Sequence, residues 1–389
     1  MNNYVLEHLI DWNNIPEDPI FQLTFPQRGM LEDGHFDEVY DLLYRQKADK
    51  QQLQSAIFRI RQTLNPHPAK QKELNVPTLH GEVVEGIQHK YQETVLFFPA
   101  QGQTCHSHCT FCFRWAQFIG DNELKFKSSN AGQLKQYLLA NPNVTDVIFT
   151  GGDPMIAKTR HLKPYLQMLL EPELAHIQNI RIGSKALTYW PYRFLSDDDA
   201  GELLDLFREV VAHGKHLAFM AHFNHYNELR TPATQEAVQK IRDTGAEIRS
   251  QAPVLNHINN DPNVWITMWR EQTRIGIIPY YMFVERDTGA KSYFEIPLIE
   301  AYQIYRQAIS QLSGLSRTVR GPTMSATPGK VEILGKDHIG GEDVFVARFL
   351  QGRDPKWTYK PFFIKYDKKA TWWDQLKPAF GEDKFFFEK

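Results

Sequence analysis

Cysteine is scarce in this chain of 389 residues, which contains only Cys105, Cys109 and Cys112. The three lie within eight consecutive residues, and an odd number this closely spaced excludes an internal disulfide framework. A reducing cytosol would not maintain such a framework in any case. Because cysteine is otherwise absent, the pattern indicates thiolates that are reserved for a metal centre.

Long hydrophobic runs and an excess of charge of either sign are also missing. No apolar run approaches the roughly 18 residues that would indicate a membrane span, and the first residues lack the basic and apolar regions of a signal peptide. The formal net charge of −2 gives no electrostatic attraction to nucleic acid or to an anionic membrane. We therefore expect a cytoplasmic protein that binds neither membranes nor nucleic acid.

From about residue 93 the chain alternates short apolar runs with amphipathic stretches. The predicted strands are 94–99, 145–150, 179–183, 216–221, 247–251 and 274–284. Strands that alternate with helices indicate βαβ units and a parallel sheet. Six units predict an α/β fold, a partial (β/α)6 TIM-type barrel with its active site at the carboxyl ends of the strands. A doubly wound open sheet fits less well, because no glycine-rich dinucleotide fingerprint follows the first strand.

Helix boundaries are predicted from capping signals between these strands. One helix is predicted to start at Ser196, with Asp199 three residues on, and to end before Gly214. Another has Thr231 at its N-cap followed by proline, and ends before Gly245.

Two extensions flank the predicted barrel. The chain divides into a helical N-terminal extension 1–92, a core 93–290 and a C-terminal part 291–389, which opens with a helix over 297–312. The N-terminal part is predicted to be helical because apolar residues recur at helical spacing before residue 65. The last thirty residues are too rich in aromatic side chains for a disordered tail, so we expect this aromatic-rich extension to cover the barrel or to form a subunit contact.

The three cysteines have the spacing C-x3-C-x2-C. Structural zinc sites usually take four ligands from separate knuckles, and a ferredoxin run is completed by a fourth cysteine. Three thiolates on one loop can instead bind three corners of an iron–sulfur cube and leave the fourth iron open for another ligand. A Cys3His zinc site that uses His106 or His108, in a protein that is not an enzyme, stays open as an alternative.

The segment Gly151-Gly152-Asp153-Pro154 ends the second predicted strand, at the edge where a barrel active site forms. Glycine lets the backbone approach a ligand closely, and the Asp153 carboxylate can accept hydrogen bonds from an ammonium group. Alone, this segment indicates only a turn. One strand after the cysteine loop, it supports a ligand site.

Together these segments resemble the radical SAM superfamily. The cysteine loop matches its C-x3-C-x-aromatic-C motif, with Phe111 at the aromatic position, and the glycine segment is similar to the "GGE" motif that binds the amino group of S-adenosylmethionine (SAM). The resemblance implies a [4Fe–4S] cluster on Cys105, Cys109 and Cys112, with SAM at the open iron. It further implies reductive cleavage of SAM to a 5′-deoxyadenosyl radical, with an electron from a donor such as flavodoxin or ferredoxin.

A collinear series of segments over residues 18 to 335 is similar, more narrowly, to the lysine 2,3-aminomutase family. The matching segments are Asp18-Pro19-Ile20, His89-Lys90-Tyr91, Arg181-Ile182-Gly183-Ser184, His222-Phe223-Asn224-His225, Gln251, Asn260-Asp261 and Pro279-Tyr280-Tyr281. Carried over by position, the SAM contacts would be Phe111, Arg114, Gly151, Gly152, Asp153, Ser184, His222 and Gln251. The resemblance implies an isomerase that shifts an amino group between neighbouring carbons.

Members of this family also hold pyridoxal 5′-phosphate on a lysine that follows a glycine-rich run. The counterpart here is Lys330, after a run that has shrunk to one glycine, and it is the candidate catalytic residue. Lys90 and Tyr91 match positions near the cofactor phosphate, although the family favours arginine at the first. A radical SAM enzyme of the same fold that has lost this cofactor and performs another hydrogen abstraction stays open, as does a protein or RNA binder that uses the aromatic tail.

Two departures from the family concern the substrate and assembly. The acidic position that would hold the distal ammonium of lysine falls on Arg286, and a second falls near Ala326 or Thr327. Because a cation repels an ammonium group and attracts a carboxylate, we expect a small-molecule amino acid substrate, acidic or uncharged, rather than free lysine. The family's C-terminal cysteine zinc site is missing, so a homo-oligomer would have to form without that metal.

Overall fold

The computed structural model describes residues 2–64, 74–115 and 126–388. The N-terminal part contains the helices Asn3–His8, Pro19–Thr24, Asp33–Tyr40 and Lys50–Leu64. Asn2 and Asp18 start the first two helices, because their side chains accept hydrogen bonds from the backbone N–H groups of Tyr4 and Phe21. Within these ranges, none of the helices combines the length and the apolar character that crossing a membrane requires.

The segment 1–92 is not helical throughout. It ends in three strands, β1 (Thr78–Leu79), β2 (Glu82–Val83) and β3 (Ile87–Tyr91). β1 and β2 form a small hairpin of their own, whereas β3 pairs antiparallel with the next strand and belongs to the main sheet. The predicted helical extension is therefore wrong for these residues, because a short hairpin loop returns β3 directly into β4.

The barrel part of the main sheet consists of six parallel strands in sequence order. They are β4 (Thr94–Phe97), β5 (Asp146–Phe149), β6 (Asn179–Ser184), β7 (His216–His222), β8 (Glu247–Val254) and β9 (Ile277–Val284). Each pairs in parallel with the next. All six agree with the predicted strands to within a few residues. The sheet and its intervening helices confirm the α/β fold class, a partial (β/α)6 barrel.

Helices connect these strands and cover the sheet. They span Ala131–Ala140, Thr159–Met168, Ala200–Ala212, Pro232–Arg242, Pro262–Arg274 and Leu298–Ser310, with the short helices Ala186–Tyr189 and Lys291–Phe294 at loop positions. The predicted N-cap at Thr231 is confirmed, because its side chain accepts a hydrogen bond from the N–H of Thr234. The predicted start at Ser196 is wrong. The Asp199 carboxylate binds Arg193 at 3.0 Å and the N–H of Thr159 at 2.6 Å, so the preceding residues form turns and the helix begins at Ala200.

The C-terminal part extends the sheet instead of forming a separate layer. β10 (Arg320–Ser325) is parallel to β9, and β11 (Gly329–Ile339), β12 (Glu342–Gly352) and β13 (Pro361–Lys365) follow as an antiparallel meander. A second apolar cluster packs against this meander and contains most of the aromatic tail residues. The tail is therefore ordered, as its composition indicates, and its ring packing stabilises the strand that carries Lys330.

Two adjacent leucines on the helix 131–140 provide a matched test of the packing of the main core under the parallel sheet. Leu138 is fully buried in the main core, whereas Leu139 is 44% exposed. We expect Leu138→Ala to lower the free energy of unfolding by about 2–5 kcal/mol, because it leaves a cavity, and Leu139→Ala to change it by about 0.5 kcal/mol or less. Urea unfolding of both variants measures this, and equal effects would contradict the packing described.

Candidate active site

The cysteine loop follows β4 and rests on the N-terminal helix 19–24. The N–H of Thr110 donates to the carbonyl of Leu23 at 2.9 Å, and its hydroxyl donates to the carbonyl of Gln22 at 2.8 Å. Cys105, Cys109 and Cys112 are free thiols and are partly exposed. The N-terminal helices thus fix the middle of the loop that carries all three thiols.

The three thiols act on one another electrostatically. Burial raises the pKa of the Cys112 thiol to about 12, and the nearby Cys105 raises it further. Burial likewise raises the pKa of Cys109, with contributions from both other cysteines, although Lys185 opposes them. Neighbouring thiolates repel one another, and a cationic metal centre offsets that repulsion.

In the described ranges, no three His, Cys, Asp or Glu side chains are arranged around a single metal-ion position.

Phe111 connects the cysteine loop to the end of β7. Its ring is buried, 5.6 Å from the His222 ring and 6.3 Å from the Phe294 ring, measured between centres. His222 is in turn the register partner of Gln251 on β8. The structure therefore brings Phe111, His222 and Gln251, three residues predicted to contact SAM, to one edge of the sheet. Burial lowers the pKa of His222 well below its usual range, so the imidazole is neutral.

Gly151 and Gly152 let the end of β5 lie directly against the cysteine loop. A Cβ atom at Gly152 would collide with the carbonyl of Thr104, and Gly151 has a φ of +153°. The N–H of Asp153 donates to the carbonyl of Thr104 at 3.0 Å. Glycine is needed here because two backbone segments touch.

The Asp153 carboxylate is saturated with hydrogen bonds from the protein. One oxygen accepts from the hydroxyl of Ser184 at 2.7 Å and the N–H of Met155 at 3.0 Å. The other accepts from the N–H of Lys185 at 2.8 Å and lies 3.1 Å from His106 Nε2. Burial acts to raise its pKa, but His106 and the other donors hold the pKa of Asp153 below its usual value. The roughly four acceptor positions of a carboxylate are thus all used, which leaves none for the ammonium that the sequence assigns to Asp153.

A cavity of about 460 Å³ opens beside the cysteine loop. It is lined by Leu74, Asn75, Gln88, Lys90, Tyr91, Leu96, Phe113, Arg114, Arg286, Asp287, Ser325, Ala326, Thr327, Arg353, Trp372 and Asp374. The lining residues that the sequence singles out are Lys90, Tyr91, Arg114, Arg286, Ala326 and Thr327. Trp372 belongs to the aromatic-rich extension that is expected to cover the barrel or to form a subunit contact. Arg353 was not predicted, because it directly follows β12 of the C-terminal meander and no short motif marks it.

Lys90 and Arg353 fix the wall of the cavity near the turn between β10 and β11. Lys90 Nζ donates to the carbonyl of Ala326, and Arg353 donates to the carbonyl of Thr327 at 2.8 Å and to Asn75 Oδ1 at 2.7 Å. Burial lowers the pKa of Lys90 to about 7, and the positive charges of Arg353 and Arg286 lower it further. A group that brings negative charge into the cavity would relieve this repulsion.

Arg114 and Arg286 both lie near the Phe113 ring. Their guanidinium carbons are 5.2 Å and 5.7 Å from its centre, and Arg286 also lies 5.2 Å from a ring of Trp372. Among the described residues, Arg114 Nη1 and Arg286 Nε find no hydrogen-bond acceptor, although Asp287 Oδ1 lies 3.6 Å from Arg286 Nε. These buried donors are available to an anionic ligand.

Lys330 lies on β11 opposite Ser325 of β10. Its Nζ is 3.2 Å from Gln351 Oε1 and 4.2 Å from the centre of the Tyr281 ring. Burial lowers the pKa of Lys330 to about 7, with further lowering by Arg181 and Arg320. Lys330 is not among the lining residues of the cavity, although Ser325 and Tyr91, its neighbours, are.

Comparison with known proteins identifies relatives of this chain. A protein of Aquifex aeolicus provisionally named L-lysine 2,3-aminomutase is 35% identical over 301 residues, which cover 77% of each chain. The L-lysine 2,3-aminomutase of Escherichia coli is 28% identical over 63% of this chain and 69% of its own length. The glutamate 2,3-aminomutase of Clostridioides difficile is 26% identical over 66% of this chain and 58% of its own length.

No family model matches the chain. A radical SAM methyltransferase from Sphaerobacter thermophilus superposes with a TM-score of 0.42 at 13% identity over 60% of this chain and 68% of its own, a likeness too small to add to the assignment. The identity to the Aquifex relative and the share of both chains that it covers are sufficient to assign the family. The chain belongs to the lysine 2,3-aminomutase-like family of radical SAM isomerases.

Proposed function

We propose that this chain is a radical SAM enzyme that catalyses an amino acid 2,3-aminomutase reaction. One observation carries the proposal. The cavity lies between Phe113 and Arg114, which continue the cysteine loop, and the turn 325–327, which leads into Lys330. A single space is thus bordered by the site of radical formation and by the neighbourhood of the candidate catalytic lysine.

The donor set of the cysteine loop fits three corners of a [4Fe–4S] cluster. Cys105, Cys109 and Cys112 would hold it, and no fourth cysteine exists to close the last corner. When bound, the cluster and SAM supply a 5′-deoxyadenosyl radical, with an electron from a flavodoxin or ferredoxin class of donor. The proposed SAM contacts are Phe111, Arg114, Gly151, Gly152, Ser184, His222 and Gln251. Because the Asp153 carboxylate is saturated, we assign it the role of orienting this loop and not of binding the SAM ammonium.

The surroundings of Lys330 fit a lysine that forms a reversible bond with pyridoxal 5′-phosphate. When bound, that cofactor supplies stabilisation of the radical during migration of the amino group. Because burial lowers the pKa of Lys330 to about 7, much of its amine is neutral and nucleophilic at neutral pH. Lys90 and Tyr91 would hold the phosphate end. Burial raises the pKa of Tyr91, which keeps its hydroxyl protonated as a donor.

One observation favours the second candidate, a radical SAM enzyme of this fold without pyridoxal phosphate. Lys330 is hydrogen-bonded to Gln351 and does not line the cavity. For the aminomutase proposal to hold, the Lys330 side chain must exchange this partner for the cofactor, a rotation that a flexible lysine stem allows.

The lining of the cavity supports an acidic or uncharged amino acid as substrate. Lys90, Arg114, Arg286 and Arg353 outnumber the carboxylates of Asp287 and Asp374. Arg286 has an unpartnered N–H among the described residues and is enclosed by two aromatic rings, so a ligand carboxylate that reaches it would be desolvated and tightly held.

Iron content tests the cluster. After anaerobic reconstitution with iron and sulfide, we expect about four irons per chain, loss of most of this iron in Cys109→Ser, and formation of 5′-deoxyadenosine when SAM and a reductant are added to the wild type. His108→Ala is the matched control from the same loop, and we expect it to retain its iron. One zinc per chain in place of iron, lost in His108→Ala, would favour the Cys3His zinc alternative.

Chemical trapping tests Lys330. Borohydride reduction in the presence of pyridoxal phosphate should attach a pyridoxyl group to Lys330, identified by peptide mass spectrometry. The label should fall as the pH drops below about 7, because the amine then becomes protonated. Lys330→Ala should abolish this label, whereas Lys336→Ala, at a surface ion pair of the same strand, should keep it. Labelling of Lys90 instead, or only of surface lysines, would refute the assignment.

Competition between substrates tests the polarity of the site. The reconstituted enzyme is incubated with equal concentrations of L-glutamate, L-glutamine, L-alanine and L-lysine, and the β-amino acid products are counted by mass spectrometry. We expect products from the acidic or uncharged amino acids and at least about tenfold less from lysine, because Arg286 repels its distal ammonium. Brisk turnover of lysine would show that the substrate hypothesis is wrong.

A further inference from the structure

A buried polar network joins the ends of β5, β6, β7 and β8 beneath the residues proposed to bind SAM. Its members are Asp153, Lys185, Asn224, Glu228 and Asn259, and we call it the rim network. We propose that Lys185 is a positioning residue, which holds the SAM-binding edge of the sheet in one arrangement without contacting SAM. The inference rests on the proposed function for the identity of the ligand.

The Lys185 side chain connects β6 to the segment that follows β7. Its Nζ donates to Glu228 Oε1 at 2.6 Å, to Asn224 Oδ1 at 3.0 Å and to the carbonyl of His222 at 3.2 Å. All three N–H groups of the ammonium therefore have protein acceptors. The side chains of Lys185 and Glu228 are only 5% and 0% exposed, so this ammonium is not presented to a ligand.

The main chain of Lys185 connects the same point to the cysteine loop. Its N–H donates to Asp153 Oδ2, the oxygen that also faces His106 Nε2. His106 directly follows Cys105. A displacement of Lys185 is therefore transmitted to the cysteine loop through one carboxylate and to His222 through one ammonium.

Glu228 and Asn259 extend the network to β8. The second oxygen of Glu228 accepts from the N–H of Asn224 at 2.6 Å and from that of His225 at 3.2 Å. The Asn259 amide donates to the carbonyls of Asn224 and Pro253, at 2.9 Å and 3.1 Å. Asn224, which follows His222, and Pro253, which follows Gln251, are thus held relative to each other by the buried side chains of Glu228 and Asn259.

A buried ion pair contributes little net stability compared with a well-packed apolar pair, since desolvation offsets its attraction. Lys185 and Glu228 instead fix the positions of the backbone segments around them. An ammonium whose three acceptors lie in fixed directions permits only one arrangement of those segments. Removal of both charges should therefore leave a folded protein whose SAM-binding edge is no longer held.

The test separates stability from position. Lys185→Met alone leaves Glu228 buried without its partner, and we expect its melting temperature to fall by several degrees. The double variant Lys185→Met/Glu228→Gln removes both charges, and its melting temperature should return towards the wild-type value. The control Arg181→Met/Asp146→Asn removes an ion pair between β5 and β6. This pair lies towards the amino ends of the strands, whereas the rim network lies at their carboxyl ends.

Two measurements are made on each protein. The first is the dissociation constant for SAM of the anaerobically reconstituted protein. In the double variant we expect binding to weaken about 10- to 100-fold, the usual effect of residues that orient ligand-binding groups, whereas the control should change it less than about threefold. The second is hydrogen exchange of the protein without cofactors, which should speed up in residues 104–112 and 222–229 of the double variant only.

Each outcome decides the inference. Weaker SAM binding and faster exchange at a restored melting temperature support it. A double variant with wild-type SAM affinity and unchanged exchange in both segments overturns it, and so does an equal loss of affinity in the control. If the wild type takes up neither iron nor SAM, the proposed function fails, and the exchange measurement alone still decides whether Lys185 holds these segments.

Discussion

The carboxylate of Asp153 is the point on which the site depends. A buried carboxylate must be compensated by several donors, and here the donors come from parts of the chain that the fold brings together: the cysteine loop, β6 and the turn after β5. Parallel strands end at the same edge, so each of these segments reaches Asp153 from a different strand end. The requirement to satisfy one charge thus fixes the position of the loop that carries the three thiols.

Around the cavity, by contrast, positive charge is in excess. Lys90 lines the cavity and Lys330 lies beside it, both have arginines nearby, and burial lowers the pKa of each to about 7. Positive groups close together in low dielectric destabilise one another, and negative charge is the natural complement. A phosphate and a carboxylate are the anionic groups that the proposed reaction would bring. Burial first, and the neighbouring positive charges second, lower the pKa of both lysines, and the same excess of positive charge supports the proposal that the cavity binds an anionic ligand.

The barrel could be predicted from sequence because short apolar runs alternate regularly with amphipathic helices, and a helix such as that at Thr231 has a clear N-cap. The C-terminal strands could not. In β11 the buried Val331 and Ile333 are followed by exposed Lys336 and His338, so the second half of this strand faces solvent and the apolar run is broken. Motifs predicted the thiols, the glycines and Lys330. Arg353 escaped prediction because its partner Asn75 is 278 residues away in sequence, and no local pattern reports such a contact.

Lys330 lies where the C-terminal meander joins the barrel. β10 adds to β9 in parallel, and a tight turn at 326–328 then returns the chain as β11, which sets Lys330 opposite Ser325 and beside the Tyr281 ring of the last barrel strand. Lys90 and Arg353 bind carbonyls of this same turn. The aromatic cluster packs against β11 and β12 and supports this arrangement. The six barrel strands leave an edge at each end, where β3 pairs with β4 and β10 pairs with β9, and the strands added at the β9 side carry the lysine that the proposed chemistry requires.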